Sequence, residues 1–200
     1  SENLIKQIEN ARYFGIPVIV AINAFTSDTH NEIETVRKIS IENGAFDAVV
    51  SEVWAKGGEG GKDLAHAVVQ ACENGGNFQF LYPLDIPIKD KIHTIATKIY
   101  GADGVVYESE AEKKIKLFTE MGWDNLPICM AKTHLSLSHD PKLLGRPRGF
   151  KLPIRDIRPS IGAGFLYPLC GEMRTMPGLP SVPAGNAVDF DEDGNVVGLF

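Results

Sequence analysis

Residues 16–22, IPVIVAI, form the longest apolar run in the chain, and they constrain its fold more than any other feature. A run without polar alternation offers no face to water, so it reads as a strand covered on both sides, the habit of parallel sheets. It is far too short to span a bilayer as a helix, which takes about 20 apolar residues. An amphipathic helix precedes it, with Leu4, Ile8 and Ala11 on one face, and Gly15 stands between the two. After it, Thr29 and Glu32 have the spacing of a capping box, Ile33, Val36 and Ile39 carry a helical stripe, and Gly44 stops the helix. FDAVV is the next strand. A glycine-rich loop leads to a further helix marked by Leu64, Ala65, Val68 and Cys72, ending at Gly75 and Gly76. Strand and helix alternate, so residues 1–77 are expected to be the end of an α/β domain with a doubly wound parallel sheet.

Pro83 and Pro87 break that rhythm, and smaller α+β subdomains are expected to follow. Pro87 fits the first turn of a helix whose core face is Ile88, Ile92, Ile95 and Ile99. A short strand ends at Tyr107, Ser109 and Glu112 suggest a second capping box, and Gly122 precedes the strand LPICMA. These elements make an α+β subdomain over 78–148. FKLPIRDI, FLYPLC and a hairpin in VDFDEDGNVVGLF give a mainly β subdomain over 149–200, with the proline of FLYPLC at an edge or bulge.

Charge narrows the partners. A net charge of -6 and a pI near 5.4 disfavour a general nucleic-acid binder, which needs clustered lysine and arginine. Membrane partners are not expected either. Cys72, Cys129 and Cys170 are odd in number and widely spaced, the pattern of reduced thiols in an intracellular protein. The first residues lack the cationic and apolar stretches of a leader, and a helix at the very start points to structure upstream of Ser1.

Ligands of open parallel sheets bind beyond the carboxyl ends of the strands. Two loops meet that edge here: NAFTSDT brings Phe25, and SEVWAKGGEGG brings Trp54 beside its glycines. The two aromatics either clamp a flat heteroaromatic ring or plug the top of the sheet. Gly57 and Gly58 allow a planar ligand close to the backbone, or simply make a flexible turn. Asp28 reads as a helix-start residue. GGEGGKD is not a Walker loop, because the positions that need glycine and Ser or Thr hold Lys56 and Asp63. Asp189, Asp191, Asp193 and Gly194 imitate half a calcium loop, but position twelve is Phe200, and a hairpin turn explains them better. His134 and His139 match no common metal spacing, and Lys132, Thr133 and His134 follow a strand end without a defined role. Arg146, Arg148, Lys151, Arg155 and Arg158 are a solvated face or an anion site. GEMRTMPGLP is a rigid loop that either binds or braces.

Taken together, FGIPVIVAINAFTSDT, GAFDAV, SEVWAKGGEGG, DKIHTIATKIYGAD, NLPICMAKTHLSLS, RPSIGAGFLYPL, TMPGLP and VVGLF, in that order, resemble formate–tetrahydrofolate ligases across essentially the whole chain. The resemblance is to the carboxy-terminal third of such enzymes, without the P-loop domain. It implies an ATP-dependent reaction in which formate attacks the terminal phosphate to give formyl phosphate, whose carbonyl is attacked by N10 of tetrahydrofolate. It further implies that Phe25 and Trp54 sandwich the pterin, with Gly57 and Gly58 beside it, and that Thr175, Met176, Pro177 and Gly178 lie on the nucleotide side of the cleft. No catalytic or metal-ligating residue is assigned. MgATP is expected to bind mainly to an absent amino-terminal P-loop domain or subunit, and a monovalent cation such as potassium is implied without ligands in this chain. The chain alone is expected to be inactive, cytoplasmic or mitochondrial, and part of a homo-oligomer. The alternative is a non-catalytic folate-binding or oligomerisation module of the same fold.

Overall fold

The computed structural model describes residues 1–171 and 180–198. It is a mixed α/β structure with one parallel, one mixed and one antiparallel sheet.

Helix α1 (Glu2–Arg12) ends where Gly15 turns the chain at φ 71°. Its inner face holds Ile8, as the spacing predicts, but also two polar residues, Lys6 and Asn10. Lys6 is tolerated there because its ammonium donates to the Lys98 carbonyl at 2.6 Å and pairs with Glu9. Strand β1 (Ile19–Asn23) runs parallel to β2 (Asp47–Ser51), with Ile19 opposite Asp47 and Asn23 opposite Ser51. The connecting helix α2 (His30–Glu42) starts at a reciprocal capping box. Thr29 Oγ1 accepts from the Glu32 amide, and the Glu32 carboxylate accepts from the Thr29 amide.

The parallel sheet is present, but β1 is not covered on both faces: Ala21 and Asn23 are exposed. Only two strands pair in this sheet among the described residues, and helices packed on so narrow a sheet leave part of it open. Beyond β2 come a single turn α3 (Val53–Lys56), a 3-10 turn over Gly57–Gly61 and α4 (Lys62–Glu73). The buried face of α4 is Ala67 and Ala71, not the expected Val68 and Cys72: Val68 is exposed, and Cys72 is a free, exposed thiol. That helix is apolar on two sides, so periodicity alone does not choose between them.

Pro87 is the N-cap of α5 (Ile88–Thr94), one position earlier than expected, and a five-residue π-type turn (Ile95–Ile99) continues it. Ile88, Ile92 and Ile95 are buried as their spacing requires. Strand β3 (Gly104–Tyr107) precedes α6 (Ser109–Glu120). The capping box expected at Ser109 does not form: Glu108 is the N-cap, and no side chain caps the helix. β4 (Lys151–Ser160) pairs parallel with β3 and antiparallel with β5 (Phe165–Cys170). The segment LPICMA is extended along the free side of β5 without forming a continuous strand. Leu166 donates to Pro127 and Cys170 to Ala131, while Pro168 between them has no N–H to give. One core joins these elements, including Ile88, Ile92, Phe118, Leu152, Ile154, Ile157 and Leu166. β6 (Asp189–Phe190) and β7 (Val196–Val197) form the expected hairpin, in which the Asp191 carboxylate accepts from the Asp193 and Asn195 amides.

Candidate functional site

The in-register pairing of β1 with β2 decides the geometry of the site. Both strands end at the same level, so the loops after Asn23 and Ser51 leave the same edge side by side, and the Ala24 amide donates to the Ser51 carbonyl at 3.1 Å. Each loop then raises one aromatic ring. Phe25 and Trp54 are 63% and 61% exposed, their ring centroids lie 6.4 Å apart, and their planes differ by 25°. Both large apolar rings are thus mostly open to solvent at that edge.

The rings are held unequally. Trp54 Nε1 donates to the Ala24 carbonyl at 2.8 Å, which ties the second loop to the first. The Phe25 side chain has no polar tether, but its amide donates to the Asp28 carboxylate at 2.8 Å and the Asp28 amide returns a bond to the Phe25 carbonyl at 3.0 Å. Asp28 therefore braces the turn under Phe25, while Thr29 next to it caps the helix. Neither the indole anchor nor the Asp28 brace was legible from motif spacing, since both depend on how the loops settle in three dimensions.

The glycines of the second loop divide into two kinds. Gly57, at φ 58°, and Gly58 have no heavy atom within 4 Å of where a Cβ would stand, so their surface is open to a ligand. A Cβ on Gly60 would meet the Glu52 carbonyl oxygen at 2.5 Å, because the loop closes there through a Glu52 amide to Gly60 carbonyl bond of 3.0 Å. Lys56 pairs with Glu52 and Lys62 with Glu59 at the exposed rim.

Thr175, Met176, Pro177 and Gly178 lie outside the described residues. The basic run does not converge on one anion site. Arg146 forms a two-pronged pair with Glu9 at 2.9 and 2.8 Å, Arg148 pairs with Glu2, and Arg158 with Asp156. Burial pushes the Glu9 carboxyl up, but Arg146 and Lys6 outweigh it and hold the group below the usual carboxylate range. Lys132 serves the local structure, since its ammonium donates to the Thr133 and Ser136 carbonyls and lies 4.9 Å from the Tyr100 ring centroid. No group of three His, Cys, Asp or Glu side chains gathers as a metal cage among the described residues, and none of the described helices is long and apolar enough to cross a membrane.

Comparison with known proteins identifies the family. A family model described as formate–tetrahydrofolate ligase matches residues 1–200. The chain is 59% identical over 198 residues to a formate–tetrahydrofolate ligase of Desulforamulus reducens, covering 99% of this chain and 35% of that protein. It is 55% identical over 197 residues to the ligase of Roseiflexus castenholzii, covering 98% and 35%. It is also 57% identical over 199 residues to the cytoplasmic C-1-tetrahydrofolate synthase of Homo sapiens, covering 99% and 21%. The chain thus spans about a third of the length of the bacterial ligases it matches.

One expectation is corrected by this comparison. The sequence reading takes the chain as a carboxy-terminal part lacking the P-loop, whereas the match is assigned to the amino-terminal 35% of the relatives, the region with the nucleotide-binding part. The failed Walker count misleads here, because the absence of one motif does not locate a segment in a longer protein. GGEGGKD itself is unchanged by this, with Lys56 and Asp63 still at the positions where a Walker loop needs glycine and Ser or Thr.

Proposed function

The chain belongs to the formate–tetrahydrofolate ligase family, and from that premise we propose that it provides the tetrahydrofolate-binding surface of an ATP-dependent ligase, with Phe25 and Trp54 gripping the pterin. The observation that carries the proposal is the exposed, near-parallel pair itself, 6.4 Å between centroids at the carboxyl edge of a parallel sheet. A ring held between two others at van der Waals contact needs roughly 7 Å, twice a carbon contact of about 3.5 Å. The pair stands slightly inside that span, so a small rotation of Phe25, which has no polar tether, opens the slot. Trp54 is the fixed jaw because its indole N–H is already committed to Ala24. Gly57 and Gly58 leave the backbone bare where the edge of the ring would lie.

In the reaction proposed for the whole protein, formate attacks the terminal phosphorus of MgATP and displaces ADP, and N10 of the folate attacks the carbonyl of the resulting formyl phosphate, losing its proton as phosphate leaves. The work of this surface is positional. Fixing the pterin holds N10 at a set distance from the formyl carbon and turns a bimolecular encounter into an effectively unimolecular step. A cytoplasmic homo-oligomer responsive to a monovalent cation such as potassium is part of the same proposal, the compartment being supported by the name of the human relative. So is a doubly wound continuation of the β1–β2 sheet, supported by the helical crossover α2 between parallel strands.

Fluorescence tests the grip. Trp54 and Trp123 are the two tryptophans, so in a Trp123→Phe background the emission reports Trp54 alone. Saturable quenching by tetrahydrofolate under anaerobic conditions is expected, and Phe25→Ala should weaken it. Emission that does not respond to tetrahydrofolate would contradict the clamp.

A further inference from the structure

The carbonyl that receives Trp54 and the amide that reaches Asp28 belong to one peptide group. The Ala24 carbonyl accepts from Trp54 Nε1 at 2.8 Å, and the Phe25 N–H donates to Asp28 Oδ2 at 2.8 Å. A peptide group is planar and trans, so its C=O and N–H point in opposite directions. The indole therefore holds one end of the group and the carboxylate the other. This single plane sets both the direction in which Phe25 leaves the backbone and the place where the indole edge is caught.

The surroundings leave Asp28 to this task. Glu52 and Glu59, the acidic residues of the second loop, pair with Lys56 and Lys62, whereas no ion pair engages Asp28 among the described residues. Its position is fixed from two sides. The Asp28 amide donates back to the Phe25 carbonyl at 3.0 Å, and the next residue, Thr29, is locked into the capping box of α2. A hydrogen bond to a carboxylate is stronger than one between neutral groups, and bonds in series polarise one another. Carboxylate, peptide and indole form such a series.

We propose that Asp28 is a positioning residue for both jaws of the clamp: its carboxylate fixes the Ala24–Phe25 peptide, and through that peptide it sets the indole of Trp54, with which it shares no hydrogen bond. Without the carboxylate the plane is free to turn, and the braced slot becomes one of several loop conformations. Apparent folate affinity then falls in proportion to the braced fraction. This consequence rests on the folate clamp, whereas the coupling of Asp28 to Trp54 does not.

Two measurements on the 200-residue chain test the assignment. In nitrogen-15-resolved NMR spectra each tryptophan gives one indole N–H signal. Asp28→Ala should move the Trp54 signal toward that of free indole and speed its exchange with solvent, leaving Trp123 unmoved as the internal control. Asp28→Asn, whose side-chain oxygen still accepts from the Phe25 N–H, should restore the Trp54 signal. The second measurement is titration with tetrahydrofolate, followed by Trp54 emission in the Trp123→Phe background. Asp28→Ala should bind about tenfold more weakly, the usual net worth of one hydrogen bond, and Asp28→Asn should recover most of that loss. An unmoved Trp54 signal in Asp28→Ala overturns the coupling. Folate affinity that survives Asp28→Ala, or that falls as far in Asp28→Asn as in Asp28→Ala, overturns the positioning role. If the parent itself does not bind tetrahydrofolate, the clamp and the positioning role fall together, and the indole signal still decides the coupling.

Discussion

Replacing Gly60 by alanine should loosen the loop that presents Trp54, and the cost can be worked from the contact that the new methyl group makes. An ideal Cβ at residue 60 lies 2.5 Å from the Glu52 carbonyl oxygen, 2.6 Å from its carbon and 3.0 Å from the Val53 nitrogen. All three are backbone atoms, so no side chain can swing aside, and the Glu52–Gly60 hydrogen bond of 3.0 Å must lengthen or break. Overpacking of this kind costs roughly 1–3 kcal/mol. Alanine also restricts the unfolded chain, which returns about 0.4–1 kcal/mol. A net loss of about 1–2 kcal/mol corresponds to a melting temperature lower by roughly 2–8 °C for a chain of this size. Gly58→Ala is the control, since its Cβ meets nothing within 4 Å. It should melt like the parent while intruding on a pterin laid over that residue. Differential scanning calorimetry of the two variants decides. Equal melting temperatures for Gly60→Ala and the parent would refute the account of how this loop is fixed.

Three further outcomes follow from the structure. Cys170 is buried, and burial raises its thiol from 9.0 to about 12. A group with a raised folded pKa gives stability that is complete below the unfolded value and lost as pH rises through the folded one, so stability should begin to fall near pH 9, by about 1.4 kcal/mol at pH 10. Denaturant titrations at pH 8 and 10 should show this loss, with a smaller one in Cys170→Ala. A double-mutant cycle on Glu9→Gln and Arg146→Leu should return a coupling of about 0.5–1 kcal/mol for this partly exposed pair, fading as pH falls through the depressed carboxyl value, and zero coupling would remove the pair from the account. Lys91 is fully buried and donates to the Asp124 and Leu126 carbonyls at 2.5 and 3.0 Å. Lys91→Met should cost about 3 kcal/mol or more by leaving both acceptors unpaired, and a neutral result in urea denaturation would contradict that role.

What the sequence reveals here is mostly local. The Thr29–Glu32 box, the turn at Gly44 and the isoleucine face of α5 depend on residues three or four apart, and all three are where spacing puts them. The box expected at Ser109 fails by one position, because Glu108 has the extended backbone of an N-cap. Long-range partners leave no such trace. Lys91 is buried because carbonyls more than 30 residues away surround its ammonium, and Arg146 finds Glu9 across 137 residues. Nothing in the residues flanking Lys91 or Arg146 distinguishes them from solvated charges. The candidate site is intermediate. That Phe25 and Trp54 share an edge follows from the parallel strands before them, but their spacing and the indole anchor require the register of β1 on β2.

The central claim, that Phe25 and Trp54 grip a pterin, is tested most directly by anaerobic calorimetric titration of tetrahydrofolate into the parent chain and Trp54→Ala. Stacking on one aromatic face is worth about 1–3 kcal/mol, so the variant should bind roughly tenfold to a hundredfold more weakly while its melting temperature changes little. Unchanged folate affinity in a folded Trp54→Ala chain would contradict the account.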